Sequence, residues 1–89
     1  MVYTIHFDTP LAHGAQAPTR HYTGFTDDLD ARLEAHRTGR GARLMEVITQ
    51  AGIPWRLAST VPGGRTEERR LKQHSAARRC PICKAEAAR

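Results

Sequence analysis

His21-Tyr22-Thr23-Gly24-Phe25-Thr26-Asp27-Asp28-Leu29-Asp30-Ala31-Arg32-Leu33-Glu34-Ala35-His36 changes its period halfway along, and that change decides the fold. The first five residues set Tyr22 and Phe25 around a threonine, which is the composition of a short strand. From Leu29 onward, Leu29, Arg32, Leu33 and His36 fall at i, i+3, i+4 and i+7, the spacing of one helical face. Thr26 is a candidate N-cap. Asp27, Asp28 and Asp30 follow in the first turn, where negative charge suits the positive end of the helix dipole. The stripe is unusual because two polar residues, Arg32 and His36, share the face that the leucines carry inward.

Upstream, Val2-Tyr3-Thr4-Ile5-His6-Phe7 is β-branched and aromatic, with Tyr3, Ile5 and Phe7 on one face and Val2, Thr4 and His6 on the other. Asp8 to Arg20 contains Pro10, Gly14 and Pro18 and reads as a loop. Downstream, Gly39-Arg40-Gly41 separates the first helix from a second, whose face is Leu44, Val47, Ile48 and Ala51 and whose stop is Gly52. Trp55, Leu57, Ser59 and Val61 then alternate with Arg56, Ala58 and Thr60 as a third strand, ended by Pro62-Gly63-Gly64. A third helix runs from near Thr66 to about Ser75. Glu67 and Glu68 occupy its first turn, and Glu68, three before Leu71, is the one expected to face the core. The expectation is one small α/β (α+β) domain over residues 1–75. Its order is β-β-α-α-β-α, a three-stranded and mostly antiparallel sheet flanked by three helices, followed by a basic tail at 76–89.

That order, with a tyrosine on each of the first two strands, resembles the GIY-YIG nuclease family. Val2-Tyr3 is similar to the end of the first signature triplet, with Met1 where its glycine would stand. Tyr22-Thr23-Gly24 is similar to the second, with Thr23 in place of its isoleucine. The more specific match is the run Tyr-x-Gly-x-Thr-x-x-Leu-x-x-Arg-Leu, in which ten positions separate Tyr22 from Arg32. His36 matches a histidine that many members carry, and Glu68-Arg69-Arg70-Leu71-Lys72 is similar to the family's metal-binding helix. The resemblance implies an endonuclease with Tyr3, Tyr22, Arg32, His36 and Glu68 at its site. Glu68 would hold Mg²⁺ or Mn²⁺, hard cations that prefer oxygen ligands. Arg32 would bind the scissile phosphate through its planar fork. Tyr3 or Tyr22 would activate the water. A tyrosine base is demanding, since its ordinary pKa of about 10 leaves little phenolate at neutral pH, and the metal and Arg32 would have to lower it. His36 would accept or relay the proton, or orient a tyrosine.

The charge agrees with a polyanionic substrate. The 89 residues carry a net charge of +5; positions 1–63 balance six Arg against six acids, and positions 64–89 set eight Lys and Arg against three Glu. A basic end of this kind gains from counterion release on nucleic acid. Arg40, Arg43, Arg65, Arg69 and Lys72 are the expected contacts, with DNA the first partner and RNA a second. No apolar run is long enough for a bilayer, so no membrane partner and a cytoplasmic location are expected, as a monomer or weak homodimer.

Cys80-Pro81-Ile82-Cys83 supplies the only cysteines, too few for a disulfide framework, and reduced thiols are expected. Two thiolates at this spacing make half of a tetrahedral zinc site, whose other ligands would come from His74, His13 or a second chain. A free-thiol tail is the alternative. Two further functional readings stand beside the nuclease: a catalytically silent nucleic-acid-binding module of the same fold, and a small interaction protein that recruits zinc at a subunit interface.

Overall fold

A computed structural model describes residues 1–11, 19–72 and 80–87. Three strands, β1 (Val2–Leu11), β2 (Thr19–Phe25) and β3 (Trp55–Val61), form one antiparallel sheet in the order β2-β1-β3. Among the described residues four helices accompany it: α1 (Leu29–Arg37), α2 (Arg43–Gln50), α3 (Arg65–Lys72) and α4 (Pro81–Ala87). The α+β class and element order are as the sequence implies, and the region of the CxxC, expected as a tail, folds into α4.

Every residue from Val2 to Phe7 is buried, as a central strand covered on both faces requires. Tyr3, Ile5 and Phe7 join Leu33 of α1 and Met45 and Ile48 of α2 in the main core, with Leu29, Leu44, Ile53 and Trp55 at its margin. Val2, Thr4 and His6 point the other way and are buried as well. On α2 the inward stripe is therefore rotated from the expected one, with Met45 and Ile48 buried and Ala51 exposed.

Three local differences have physical causes. β1 continues through Pro10 to Leu11, where a loop was expected. Its pairing with β3 stops at Phe7 opposite Trp55, and its pairing with β2 shifts register between His6 and Leu11, so Pro10 lies in an irregular stretch where a proline's missing N–H is tolerated. The N-cap of α1 is Asp28, not Thr26: the Asp28 carboxylate accepts the Ala31 N–H at 3.1 Å, while the Thr26 hydroxyl accepts the Asp28 N–H at 3.1 Å and shapes the turn before it. On β3, Ile5 pairs with Leu57 but Thr4 with Ser59, which leaves Ala58 as the extra residue of a bulge. The bulge reverses the alternation, so Trp55 and Leu57 share the face of Phe7 and Ile5, whereas Ser59 and Val61 join Thr4 and Val2.

Gly39 and Gly52 close α1 and α2 with φ of 75° and 71°, the left-handed terminators that their positions predict. The Thr49 hydroxyl donates to the His36 carbonyl at 3.1 Å and ties α2 to the end of α1. Truncating the shared core is the direct check on this packing. Ile48→Ala should remove about 2–5 kcal/mol, a large part of the roughly 4–13 kcal/mol that a chain of this length holds, read as a lower denaturation midpoint in urea.

Candidate functional site

On the core face, β1, β2 and α1 bring Tyr3, Tyr22 and His36 together. The Tyr3 hydroxyl and His36 Nε2 are 2.8 Å apart, a hydrogen bond between two buried groups whose donor depends on the imidazole tautomer. Ring centroids lie 6.0 Å apart for Tyr3 and Tyr22 and 5.6 Å for Tyr22 and His36. Trp55 closes the far side of His36 edge to face, and Arg37 sits over the Trp55 ring. Tyr3 and His36 are buried, whereas Tyr22 is half-buried and is the phenol with more access to solvent.

Two glycines make this convergence feasible. A methyl at Gly24, directly opposite Tyr3 in the β1–β2 register, would lie 2.7 Å from the Tyr3 oxygen and 2.9 Å from the Tyr22 ring. A methyl at Gly41 would overlap the His36 imidazole at its Nδ1 edge. His36 Nδ1 has no hydrogen-bond partner among the described residues, so it faces backbone closely without being satisfied by it.

Arg32 and Glu68 act on the same cluster through their charges. Burial, followed by the charge and hydrogen bonding of Tyr22, pushes the Tyr3 phenol well above the ordinary tyrosine value; Arg32 pulls it down and Glu68 adds to the rise. At Tyr3 desolvation outweighs the lowering by Arg32. Burial first, and then the positive charge of Arg32, hold His36 below its ordinary 6.5, so the imidazole is neutral at pH 7. Arg32 itself is exposed, a correction to the inward position its helical spacing suggests, and it lines an open groove of about 260 Å³ with Thr26, Asp28, Ala31 and Ala35. Its long side chain lets the charge leave the stripe while Leu33 and His36 stay in it. Glu68 is half-buried on α3, which packs on β2 and β1.

Of the expected nucleic-acid contacts, Arg40 is exposed in the α1–α2 connection, Arg43 is exposed and 3.5 Å from Glu46, and Arg65 and Arg69 are exposed on α3 beside Glu68. The Lys72 side chain lies outside the described residues. A cavity of about 480 Å³ lies between Leu33, Arg37, Thr49 and the start of β3, and no tyrosine lines it.

A second cluster lies on the opposite face. His6 of β1 and His21 of β2 are directly paired across the strands, and Cys80 and Cys83 come down on them from the start of α4. The Sγ atoms of Cys80 and Cys83 are 3.6 and 3.5 Å from His6 Nδ1, the Cys83 Sγ is 3.3 Å from His21 Nε2, and the two nitrogens are 3.3 Å apart. All four ligand atoms lie within 4.8 Å of one another, an arrangement that could hold a metal ion. His6 and His21, not the expected His13 or His74, are the histidines beside the thiols; His13 and His74 lie outside the described residues. A CxxC lacking two ligands was the sequence signal, but naming the partners required knowing that His6 and His21 share a rung and that α4 folds back over it. Burial pushes the Cys83 thiol up and the His6 imidazole down. No helix of the described residues is long and apolar enough to cross a membrane.

Comparisons of the chain with protein-family profiles, curated proteins and solved structures give no match.

Two outcomes follow from the tyrosine–histidine packing. Gly41→Ala, where the neighbour is a buried imidazole, should destabilise the fold by about 1–3 kcal/mol through overpacking, whereas Gly64→Ala, with open space around it, should change little in the same thermal melts. Because the folded-state pKa of His36 is depressed, its contribution to stability is complete above the unfolded value of 6.5 and is lost as pH falls below it. His36→Gln does not titrate, so its melting temperature should fall less steeply than wild type between pH 7 and 5, compared at equal metal content.

Proposed function

We propose that the chain is a GIY-YIG-type, metal-dependent endonuclease acting on DNA. The observation that carries this reading is the packing of three residues from β1, β2 and α1, with Tyr3 hydrogen-bonded to His36 and Tyr22 against both rings, where the charges of Arg32 and Glu68 also act on Tyr3. Phosphodiester hydrolysis needs these groups, since it requires an acceptor for the attacking water's proton and positive charge where the phosphorane oxygens become more negative.

Arg32, exposed beside its groove, binds the scissile phosphate and stabilises charge on its non-bridging oxygens. Half-buried Tyr22 meets the attacking water and takes its proton, while the Tyr22 proton passes to the Tyr3 oxygen and the Tyr3 proton to His36 Nε2. That relay uses the tautomer with Nε2 unprotonated, and the depressed pKa keeps the imidazole available as an acceptor. A relay of this kind needs no standing phenolate at Tyr3. Glu68 offers a hard divalent cation a half-buried carboxylate whose charge reaches Tyr3, and Mg²⁺ or Mn²⁺ held there would supply positive charge at the leaving oxygen. The thiol donors on the other face suit zinc, and the two metals would have separate places and roles. Arg65 and Arg69, on the same helix as Glu68, and Arg40 and Arg43 would track the phosphate backbone.

The raised pKa of buried Tyr3 favours one second reading, a silent nucleic-acid-binding module. Nicking of supercoiled and branched DNA in Mg²⁺ or Mn²⁺ separates the two. Wild type should nick, and Arg32→Ala and Glu68→Ala should each slow nicking by about 100- to 1000-fold, with Glu68→Ala still binding DNA. Salt-dependent binding by wild type without nicks under either metal would leave the binding module.

A further inference from the structure

We infer that His6, His21, Cys80 and Cys83 form one complete, closed, structural Zn²⁺ centre within a single chain, which fastens α4 to the back of the sheet. This deepens the assignment of zinc to Cys80 and Cys83 and is independent of cleavage.

The distances carry the inference. Zinc binds thiolate sulfur at about 2.3 Å and imidazole nitrogen at about 2.0–2.1 Å. A tetrahedron with those arms has nitrogen–nitrogen edges of roughly 3.3 Å and nitrogen–sulfur edges of roughly 3.6 Å. The observed edges are 3.3 Å between nitrogens and 3.3, 3.5 and 3.6 Å between nitrogen and sulfur. The side chains are therefore spaced for an ion at their centre, with two sulfurs and two nitrogens as the donor set.

The surroundings agree. His6 turns Nδ1 toward the thiols and Nε2 toward Glu86, 4.0 Å away, the outer carboxylate that commonly orients a metal-bound imidazole. Glu86 also lies near Arg20 and Arg56, and Arg56 reaches Asp8 at 3.0 Å, so the carboxylate is tied to both outer strands. His6 and Cys80 are each about 1% exposed. With four protein ligands and this burial there is no open position for substrate, so the site is structural and not catalytic.

The metal also accounts for the position of α4. A helix of seven residues has little stability of its own, and its ion pairs through Glu86 are partly exposed and weak. Binding Zn²⁺ releases the two thiol protons, leaves both imidazoles neutral, and joins positions 6 and 21 to 80 and 83.

The test is metal content and spectroscopy on the whole chain. Wild type purified under reducing conditions should carry one zinc per chain, and Co²⁺ exchanged into it should give tetrahedral ligand-field bands with thiolate charge transfer. Glu86→Gln should weaken zinc about tenfold in competition with a chromophoric chelator. The double variant His6→Ala/His21→Ala should lose stoichiometric zinc, whereas Arg32→Ala should keep it. If the double variant does not fold, stripping zinc from wild type with a chelator should lower its melting temperature, and re-addition should restore it. Zinc retained at full stoichiometry by a folded double variant would overturn the four-ligand centre while sparing thiolate binding. Wild type that binds no zinc, or holds a Cys80–Cys83 disulfide in its place, would overturn both.

Discussion

β1 must be buried on two sides at once. In a sheet of order β2-β1-β3, Val2 to Phe7 sit in the middle, and alternation sends Tyr3, Ile5 and Phe7 one way and Val2, Thr4 and His6 the other. A chain this short has few apolar residues with which to cover both faces. α1 and α2 cover the first with Leu33, Met45 and Ile48, and the cover they bring includes His36, which meets Tyr3. On the second face the short, polar α4 brings Cys80 and Cys83 down onto His6 and His21, and the two histidines and two cysteines converge there. Both chemically distinctive clusters thus come from one strand being central.

The polar groups on the core face are placed at a cost. Tyr3 and His36 are desolvated, their pKa values move apart in the directions burial dictates, and His36 Nδ1 lacks a partner among the described residues. Ordinary core packing does not call for a buried phenol–imidazole pair guarded by Gly24 and Gly41, where any larger residue would collide with it. Desolvated groups with shifted pKa values collect where side chains are held for chemistry, which is why this cluster, and not the cavity beside Trp55, is the better candidate for a reacting centre.

Much of this was legible in the sequence. Val2 to Phe7 announces a strand by its β-branched and aromatic residues, Gly39 and Gly52 announce helix ends, and the spacing of Tyr22, Arg32 and His36 carries the core-face cluster. What could not be read depends on contacts distant in sequence. The bulge at Ala58 that divides β3 between two faces, the continuation of β1 past Pro10, and the choice of Asp28 over Thr26 as cap are settled by register and neighbours, not by composition. His6 and His21 were readable as strand residues, but their role beside Cys80 and Cys83 needs both the β1–β2 register and the return of α4 across more than 60 residues. Arg32 departs from its helical stripe because a guanidinium on a long stem reaches water from a position where leucine would not.

The most direct test of the proposed cleavage centre is where Mn²⁺ binds, followed through paramagnetic broadening of backbone amide signals in the protein as purified. The account predicts strongest broadening around Glu68, Tyr3 and Tyr22, lost in Glu68→Ala. Broadening centred instead on the exposed acids Asp27 and Asp30, or unchanged by Glu68→Ala, would contradict it.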